Sequence, residues 1–485
     1  MEHTGFIDGR LVAGRGNRFK VENPSDESLV AELVGLSPTQ VEESIAAARR
    51  AFDDGRWSRR SARERAEIMR KFAKALAARA DRLQELAVLE AGCPVSSSVM
   101  GAQVSTPLRH AAEVIDVYLS LPEIEENPLP MHERIGMMGQ PVQSIRRYDP
   151  LGVVTAISAY NVPLFTALWK VVPGLLTGNS VILRPNPFTP ISAMIFAEAA
   201  IEAGLPEGVL NVVIESGLDG ALKLTTDPAV DMVSFTGSCA VGAKVAEQSA
   251  PTLKRLVLEL GGKSAQIFLP DSVDKAPMHG RIVCVAHAGQ GCALGTRIFV
   301  PEQKKAEVLE ATAALLAKIK IGPANDPATE TGPVISAAQV ARCEHFVAAA
   351  IKHGGRVVIG GKRPAHLDRG YYFEPTLLDL PDNTNPAAQE EIFGPVVAVI
   401  GYRDLDHAVA MANDSKFGLS GYVHGLDKAT ALKVGLAIRS GTVNVNAGVV
   451  SAWASMGGIK MSGVSRERGI EGVRAFQQMS VLNLG

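Results

Sequence analysis

Cys292 ends a run of small residues that begins at Gly289, between a helical pattern and a strand-like run. With so little bulk around its sulfur, a substrate could reach it. A free thiol has a pKa near about 8.5 and needs a base or a local positive field to react quickly. Cys292 is therefore a candidate nucleophile. The alternative, which its local spacing alone favours, is a small buried apolar side chain.

Glu259 closes an apolar run and is followed by Leu260 and the pair Gly261 and Gly262. A carboxylate in this position is expected at the carboxyl edge of a sheet, where α/β proteins bind ligands. Half buried, it would have a raised pKa and could act as a general base, whereas turned to solvent it would not. The following Gly-Gly-Lys-Ser also resembles the end of a P-loop. That motif requires glycine at the position of Val257, so a P-loop is excluded.

The turn at residues 235–238 runs from a predicted strand into a predicted helix. The first N–H groups of a helix are unpaired and carry a partial positive charge, which suits a diphosphate. Gly242 would let this helix pack closely. The spacing differs from GxGxxG, so the alternative is a plain turn with a serine cap.

Two further segments carry weaker chemistry on their own. Asn161 lies in a loop after a predicted buried strand, where its amide could donate to an oxyanion or simply stabilise a turn. Residues 390–395 join two acids to an apolar pair and Gly-Pro, a combination that is usually a solvated turn.

Helices and strands must position these residues. Capping boxes at Ser37 and Ser61 predict two helices, the second one longer, in a helical region that Gly92 ends. The second helix would bury apolar residues that recur every four positions, namely Ile68, Phe72 and Leu76. Strands are predicted at residues 142–148, 153–157, 180–183, 210–214, 232–235, 256–260, 298–300, 357–359, 396–400, 443–445 and 477–484. Alternating strands and helices indicate two α/β domains in series that meet near residues 259–262.

Composition excludes several classes of protein. A chain of 485 residues is too long for one core, so two or three domains are expected. A net charge of −2 without a basic stripe argues against nucleic acid as a partner. No apolar run reaches the ~18 residues of a membrane span, and the N-terminus does not resemble a signal peptide, so no membrane association and a cytoplasmic location are expected. Five cysteines without CxxC spacing argue against a disulfide framework and a metal site.

The order of the motifs resembles that of the aldehyde dehydrogenase superfamily. It runs from the Asn161 loop through Phe-Thr-Gly-Ser, Leu-Glu-Leu-Gly-Gly-Lys, Gly-Gln-Gly-Cys and Glu-Ile-Phe-Gly-Pro to a closing Gly-Gly-Ile-Lys-Met-Ser-Gly at residues 457–463. The similarity covers essentially the whole chain and implies an NAD(P)-dependent enzyme of the hydrolytic type.

The implied fold class is α/β and aldehyde dehydrogenase-like. Residues 1–122 and 149–260 would form a Rossmann-type dinucleotide-binding domain, and residues 261–462 an α/β catalytic domain. Residues 123–148 and 463–485 would form a small β oligomerisation element. The resemblance implies a homodimer or homotetramer, with this element and the strand-like tail as the interface.

The resemblance also implies roles for individual residues. Cys292 would attack the aldehyde and carry a thioester, Asn161 would hold the oxyanion together with the Cys292 N–H, and Glu259 would activate water. Relatives that pass the acyl group to coenzyme A generally lack this glutamate, so hydrolysis is expected. Glu391 and Phe393 would position the nicotinamide ribose and ring. The other expected cofactor-binding residues are Ile157, Ser158, Arg184, Gly217, Gly237, Ser238, Gly242 and Leu260.

The sequence departs from its relatives at the cofactor and the substrate. Arg184 replaces the usual lysine, and Pro187 stands where NAD-preferring relatives often carry glutamate, so NAD is expected while NADP stays possible. The expected substrate pocket is wide and poor in aromatic residues, comprising Val162, Trp169, Ala293, Ser451 and Met456. With no basic residue obviously beside it, a medium or bulky apolar aldehyde is expected rather than a carboxylated semialdehyde.

The sequence leaves two alternative functions open, a cysteine hydrolase and a non-catalytic protein. A cysteine hydrolase could pair Cys292 with a histidine such as His287, but the cofactor motifs would then have no use. A non-catalytic protein on the same scaffold is the other alternative, although Cys292, Glu259 and Asn161 are all retained.

Overall fold

The computed structural model describes residues 2–97, 99–448 and 451–485. These residues form twenty strands: β1 (Gly5–Ile7), β2 (Arg10–Val12), β3 (Arg18–Glu22), β4 (Leu29–Val34), β5 (Ile124–Glu126), β6 (Gln143–Pro150), β7 (Val153–Ile157), β8 (Ser180–Arg184), β9 (Leu210–Val213), β10 (Met232–Thr236), β11 (Arg255–Glu259), β12 (Ala265–Phe268), β13 (Arg297–Pro301), β14 (Arg356–Ile359), β15 (Thr376–Asp379), β16 (Val396–Tyr402), β17 (Ser420–His424), β18 (Thr442–Val445), β19 (Gly463–Val464) and β20 (Gln477–Leu484).

The same residues form fifteen α-helices: α1 (Pro38–Asp53), α2 (Ala62–Ala77), α3 (Ala80–Ala91), α4 (Thr106–Leu119), α5 (Pro163–Leu176), α6 (Met194–Ala203), α7 (Asp219–Thr226), α8 (Cys239–Ser249), α9 (Ala276–Val285), α10 (Lys305–Leu316), α11 (Ala337–Lys352), α12 (Pro386–Gln389), α13 (Leu405–Asn413), α14 (Lys428–Ala437) and α15 (Gly469–Arg474).

The first large sheet has eight strands in the order β19-β11-β10-β7-β8-β9-β1-β2. Its central strands β9, β8, β7, β10 and β11 are parallel. Ranked by their place in the chain, these five run 3-2-1-4-5, the strand order of a dinucleotide-binding fold. In such sheets ligands bind at the carboxyl ends of the strands where the order reverses, here between β7 and β10. The expected Rossmann-type topology is confirmed.

Side chains of β7 alternate between two apolar cores on opposite faces of this sheet. Val153 and Ile157 pack in the core that includes Val41 of α1. Val154 and Ala156 pack in the core formed with α2, α4, α5 and α6. Because helices cover both faces, the loop after β7 is left at the sheet edge, where Asn161 lies.

The second large sheet has seven strands in the order β14-β15-β16-β13-β12-β17-β18. All neighbours are parallel except β14 and β15. The chain passes from the first sheet to the second between Glu259, which ends β11, and Ala265, which begins β12. The segment that carries Cys292 lies between α9 and β13 of this second unit.

A three-stranded sheet, β20-β6-β5, joins the tail to the middle of the chain. The strand predicted at residues 477–484 is confirmed, and it pairs antiparallel with β6 along its whole length. Residues 463–464, which the sequence analysis grouped with the tail, instead form β19 and pair with β11 at the edge of the first sheet. Strands β3 and β4 form a separate hairpin.

Both predicted capping boxes are present. The Ser37 Oγ accepts from the Gln40 N–H at 3.3 Å, and Ser61 opens α2 in the same way. The expectation that the second helix is longer is wrong, since α1 and α2 have 16 residues each. The chain leaves the helix at Arg79, whose guanidinium pairs with Glu198 on α6, and continues as α3.

No helix within the described ranges is both long and apolar enough to cross a bilayer. Among those same residues, His, Cys, Asp and Glu side chains form no group of three or more that could hold a metal ion.

Candidate active site

A cavity of about 800 Å³ opens between the carboxyl ends of β7 and β10 and the loops of the second sheet. The expected site residues that line it are Ile157, Ser158, Asn161, Val162, Arg184, Gly237, Ser238, Glu259, Leu260, Cys292, Glu391 and Phe393. The expected residues outside its lining are Gly217, Gly242, Trp169, Ala293, Ser451 and Met456. The candidate nucleophile, base and oxyanion donor therefore share one cavity with most of the candidate cofactor residues.

The start of α8 forms one wall of the cavity. Ser238 caps the helix, its Oγ accepting from the Val241 N–H at 3.4 Å. Gly242 lies so close to β11 that a Cβ there would stand 2.5 Å from the Leu260 Cδ2. The close packing expected of Gly242 is thus present. Because Gly237, Ser238 and Val241 line the cavity, the unpaired N–H groups of this first turn suit a diphosphate, and the site fits a dinucleotide.

Arg184, at the end of β8, forms a buried ion pair. Its Nε donates to the Glu215 Oε1 at 2.6 Å, and its Nη2 donates to the Gly217 carbonyl at 3.3 Å. Glu215 lies just after β9 and contacts Arg184, which lines the cavity. The sequence analysis missed Glu215, because only the pairing of β8 with β9 brings it to Arg184.

Glu391 and Phe393 lie on a loop that the protein holds at several points. The Glu391 Oε1 accepts from the Gly262 N–H at 3.0 Å, and the Gln339 Nε2 donates to the Phe393 carbonyl at 2.8 Å. Phe393 has a positive φ of 63° and meets the Tyr160 ring edge-on at 6.0 Å between centroids. Burial raises the pKa of Glu391. This loop is a built wall of the cavity, so the solvated-turn interpretation is wrong.

Cys292 is partly exposed in the cavity, whereas Cys93, Cys284 and Cys343 are fully buried. The Tyr422 hydroxyl donates to the carbonyl of Ala293 at 2.9 Å and fixes the backbone beside the sulfur. Burial, followed by the nearby carboxylates, raises the pKa of the Cys292 thiol to about 12. The sulfur therefore carries its proton at neutral pH in the free protein.

Asn161 is buried, and its amide is held at the cavity wall near the cysteine. The side-chain Nδ2 of Asn161 donates to the Gln290 backbone carbonyl at 2.8 Å. The backbone carbonyl of Asn161 accepts from the Gln103 Nε2 at 2.6 Å. An amide carries two N–H bonds, so one remains for a ligand in the cavity. The remaining N–H is compatible with the expected role as an oxyanion donor.

Glu259 is 6% exposed, and its Oε1 has no hydrogen-bond partner within the described residues. Burial, followed by the Glu467 carboxylate, raises its pKa to about 8, and the Lys170 ammonium opposes the shift. Lys170 is fully buried and forms an ion pair with Glu467. Sequence analysis missed this pairing, since the two residues lie 297 positions apart.

His287 does not form a catalytic pair with the cysteine. Neither of its ring nitrogens has a hydrogen-bond partner in the part of the chain that the structure describes. Burial lowers its pKa to about 4, which makes the ring a weak base, and His287 does not line the cavity that contains Cys292. His287 therefore does not support the hydrolase alternative.

Comparison with known proteins decides the family. The model of the aldehyde dehydrogenase family matches residues 11–482. The chain belongs to the aldehyde dehydrogenase family. It is 35% identical over 489 aligned residues to geranial dehydrogenase of Castellaniella defragrans. This alignment covers 99% of this chain and 98% of the relative.

Solved aldehyde dehydrogenases share the whole fold. A cysteine-to-alanine mutant of aldehyde dehydrogenase C from Pseudomonas syringae, in complex with NAD⁺ and octanal, is 33% identical with a TM-score of 0.92, covering 99% of this chain and 96% of that one. An aldehyde dehydrogenase of Mycobacterium tuberculosis in complex with NAD⁺ is 38% identical with a TM-score of 0.93, covering 99% and 97%.

On the expected substrate side, this aldehyde dehydrogenase carries a small aromatic cluster. Trp169 and Phe165 meet at 6.3 Å between ring centroids, and His110 meets Trp169 at 5.4 Å. The sequence analysis found no basic residue here, which the structure corrects. The Arg468 guanidinium lies 5.9 Å from the centre of the Phe165 ring and is 8% exposed. Its side chain is unmatched by any acceptor among the described residues.

Two expected substrate residues, Ser451 and Met456, lie near the end of the chain. Met456 is tied to Glu467 by two backbone hydrogen bonds of 2.7 and 2.8 Å. Ser451, whose Oγ accepts from the Trp453 N–H, follows residues 449–450, which lie outside the described ranges.

Proposed function

We propose that this aldehyde dehydrogenase oxidises a medium-sized or bulky apolar aldehyde to its carboxylic acid with NAD⁺, through a thioester on Cys292. The observation that carries the proposal is the meeting of Cys292, Asn161 and Glu259 in a cavity that the diphosphate turn of α8 also lines. A non-catalytic scaffold would have no need to keep these three groups together in a cavity.

In the first half of the reaction, the Cys292 thiol releases its proton to water in the open cavity, and the resulting thiolate sulfur bonds to the aldehyde carbon. The carbonyl oxygen becomes an oxyanion, which the free N–H of Asn161 and the Cys292 backbone N–H hold, a contact worth about 3–4 kcal/mol of barrier. NAD⁺, when bound, supplies the acceptor for the hydride that leaves the same carbon. The carbonyl then reforms, and the acyl group remains on sulfur as a thioester.

In the second half, Glu259 takes a proton from a water molecule, which attacks the thioester carbon. The carbon–sulfur bond breaks, and the acid is released. Glu259 suits this step because its Oε1 is unpaired within the described structure and its pKa of about 8 lies near neutral pH. The presence of this base favours water over coenzyme A as the acyl acceptor.

We assign the cofactor to the same cavity. Ile157, Ser158, Gly237, Ser238 and Leu260 would line the adenosine and diphosphate part, with Gly242 and Gly217 behind it. Glu391 and Phe393 would hold the nicotinamide ribose and ring. The NAD⁺ bound by two relatives supports this assignment.

The substrate class rests on the pocket and on two relatives. Val162 lines the cavity, the expected substrate residues Trp169, Ala293 and Met456 are also apolar, and the relatives' names specify geranial and octanal. A series from acetaldehyde to octanal, with geranial and an ω-carboxylated aldehyde, tests this. We expect kcat/KM to rise with chain length. A maximum at acetaldehyde, or at the carboxylated compound through Arg468, would overturn the substrate class.

The deciding experiment follows NADH formation with each aldehyde for the wild type and Cys292→Ala. We expect reduction that requires aldehyde and disappears in the variant, while NAD⁺ binding persists. Reduction that survives in Cys292→Ala would refute the covalent route.

We also propose the domain bounds predicted from the sequence, with residues 463–464 moved to the dinucleotide-binding domain, a cytoplasmic location and a homodimer or homotetramer. Five free cysteines support a reducing compartment. The sheet edge at β20 supports assembly, because no described strand pairs with its outer side and it exposes the apolar residues Met479, Val481 and Leu484. Removal of residues 477–485 should lower the mass measured by light scattering. An unchanged mass would count against this interface.

A further inference from the structure

Glu215 occupies an unusual place beside the cofactor cavity. Strands β8 and β9 are parallel neighbours, so Arg184 at the end of β8 and Glu215 just after β9 lie at the same carboxyl edge. Arg184 lines the cavity, together with Asn186 and Ser158. Both members of the pair are well buried, at 9% exposed for Arg184 and 4% for Glu215.

The pair uses only part of the carboxylate. The Glu215 Oε1 accepts from the Arg184 Nε at 2.6 Å, while the Oε2 receives no hydrogen bond from any described residue. The Oε2 is also absent from the fully enclosed polar atoms, so solvent reaches it. It points toward Gly217, where an added Cβ would lie 3.4 Å away. One carboxylate oxygen therefore remains without a hydrogen bond beside Arg184, which lines the cavity.

The two charges have opposite consequences for a 2′-phosphate. An arginine without a partner at this edge would bind a phosphate on the adenosine ribose. The guanidinium of Arg184, however, already donates hydrogen bonds to Glu215 and to the Gly217 carbonyl. The free Glu215 oxygen can accept a hydrogen bond from a ribose hydroxyl and would repel a phosphate. Pro187 has no carboxylate, so the residue that accepts from the ribose hydroxyl would be Glu215, which follows β9.

We propose that Glu215 is the residue that makes this enzyme prefer NAD⁺ to NADP⁺. It accepts from the adenosine ribose and keeps Arg184 from receiving a 2′-phosphate. The inference rests on the proposed function, because it requires the adenosine to lie at the β8 and β9 end of the cavity.

Calorimetric titration of the free enzyme with NAD⁺ and NADP⁺ tests the proposal without relying on turnover. We expect the wild type to bind NAD⁺ more tightly, and Glu215→Gln to narrow the ratio of the two Kd values by about 10- to 100-fold, the worth of one charged hydrogen bond. Asp219→Asn is the matched control, since it removes an exposed carboxylate four positions away. Its ratio should equal that of the wild type.

A second variant separates the effect on cofactor preference from a loss of stability. If Glu215→Gln lowers the melting temperature by leaving Arg184 unpaired, the double variant Arg184→Gln and Glu215→Gln removes both charges, and its ratio should also narrow. A ratio that stays at the wild-type value in both variants while NAD⁺ still binds would overturn the role of Glu215 alone. Failure of the wild type to bind either cofactor would overturn the proposed function as well.

Discussion

The pH dependence of turnover gives the sharpest test of Glu259. Its buried carboxyl has a pKa of about 8, and only the ionised form can take a proton from water. From about pH 7 to about pH 9 the ionised fraction then rises from about one-tenth to about nine-tenths. When hydrolysis limits turnover, kcat should rise by nearly the same factor, about ninefold.

Glu259→Gln should remove this dependence and lower kcat by about 10²- to 10⁴-fold, the usual worth of a general base. The glutamine cannot take the proton, but thioester formation does not need it. Rapid mixing with NAD⁺ and aldehyde should therefore still show a burst of NADH close to one per site, followed by a very slow steady state.

Glu90 offers a matched control, because burial also raises its pKa to about 8. It lies away from the cavity, and its carboxylate accepts from the Ile191 N–H at 2.8 Å. Glu90→Gln should keep the wild-type pH profile for kcat. A Glu259→Gln enzyme that still shows an inflection near about pH 8, or a Glu90→Gln enzyme that loses it, would refute the assignment of the base.

Three further substitutions test the surrounding geometry. Asn161→Ala should lower kcat by about 10²- to 10³-fold with little change in calorimetric NAD⁺ affinity, since it removes one oxyanion donor. Tyr422→Phe loses the hydrogen bond to the Ala293 carbonyl and should lower kcat/KM several-fold, in line with about 1 kcal/mol, without a large fall in melting temperature. Lys170→Met removes a cation that lowers the pKa of Glu259, so the midpoint of the kcat profile should move above about pH 8; an acidic shift would contradict this electrostatic account.

Local sequence patterns were sufficient for much of the fold. The strand predicted at residues 153–157 matches β7, because five consecutive apolar or small residues fit a strand buried on both faces. Strands β12 and β17 were missed, since Gln266 interrupts the first and glycine and histidine weaken the second. The N-terminal strands β1 and β2 were missed because three residues carry too little periodicity to predict a strand.

The candidate site also has parts that the sequence predicted and parts that it did not. Cys292, Glu259 and Asn161 could be assigned to one candidate site because the order of motifs along the chain resembles that of the family, whereas the local spacing of Cys292 alone favoured a buried side chain. The pairs of Lys170 with Glu467 and of Arg184 with Glu215 could not be predicted, since each joins two distant segments. No spacing within one element encodes such a pair.

The buried charges around Glu259 are better explained by catalysis than by stability. A buried ion pair such as that of Lys170 with Glu467 contributes little to folding beyond what apolar residues of the same size would. Its two members act on Glu259 in opposite directions, the lysine favouring the carboxylate and the glutamate favouring the neutral acid. Arg466 and Arg468 add two further cations, which also lower the pKa of Glu259. With three cations beside two carboxylates, Glu259 can ionise in a buried site without leaving an uncompensated charge, yet it keeps a pKa high enough to accept a proton from water.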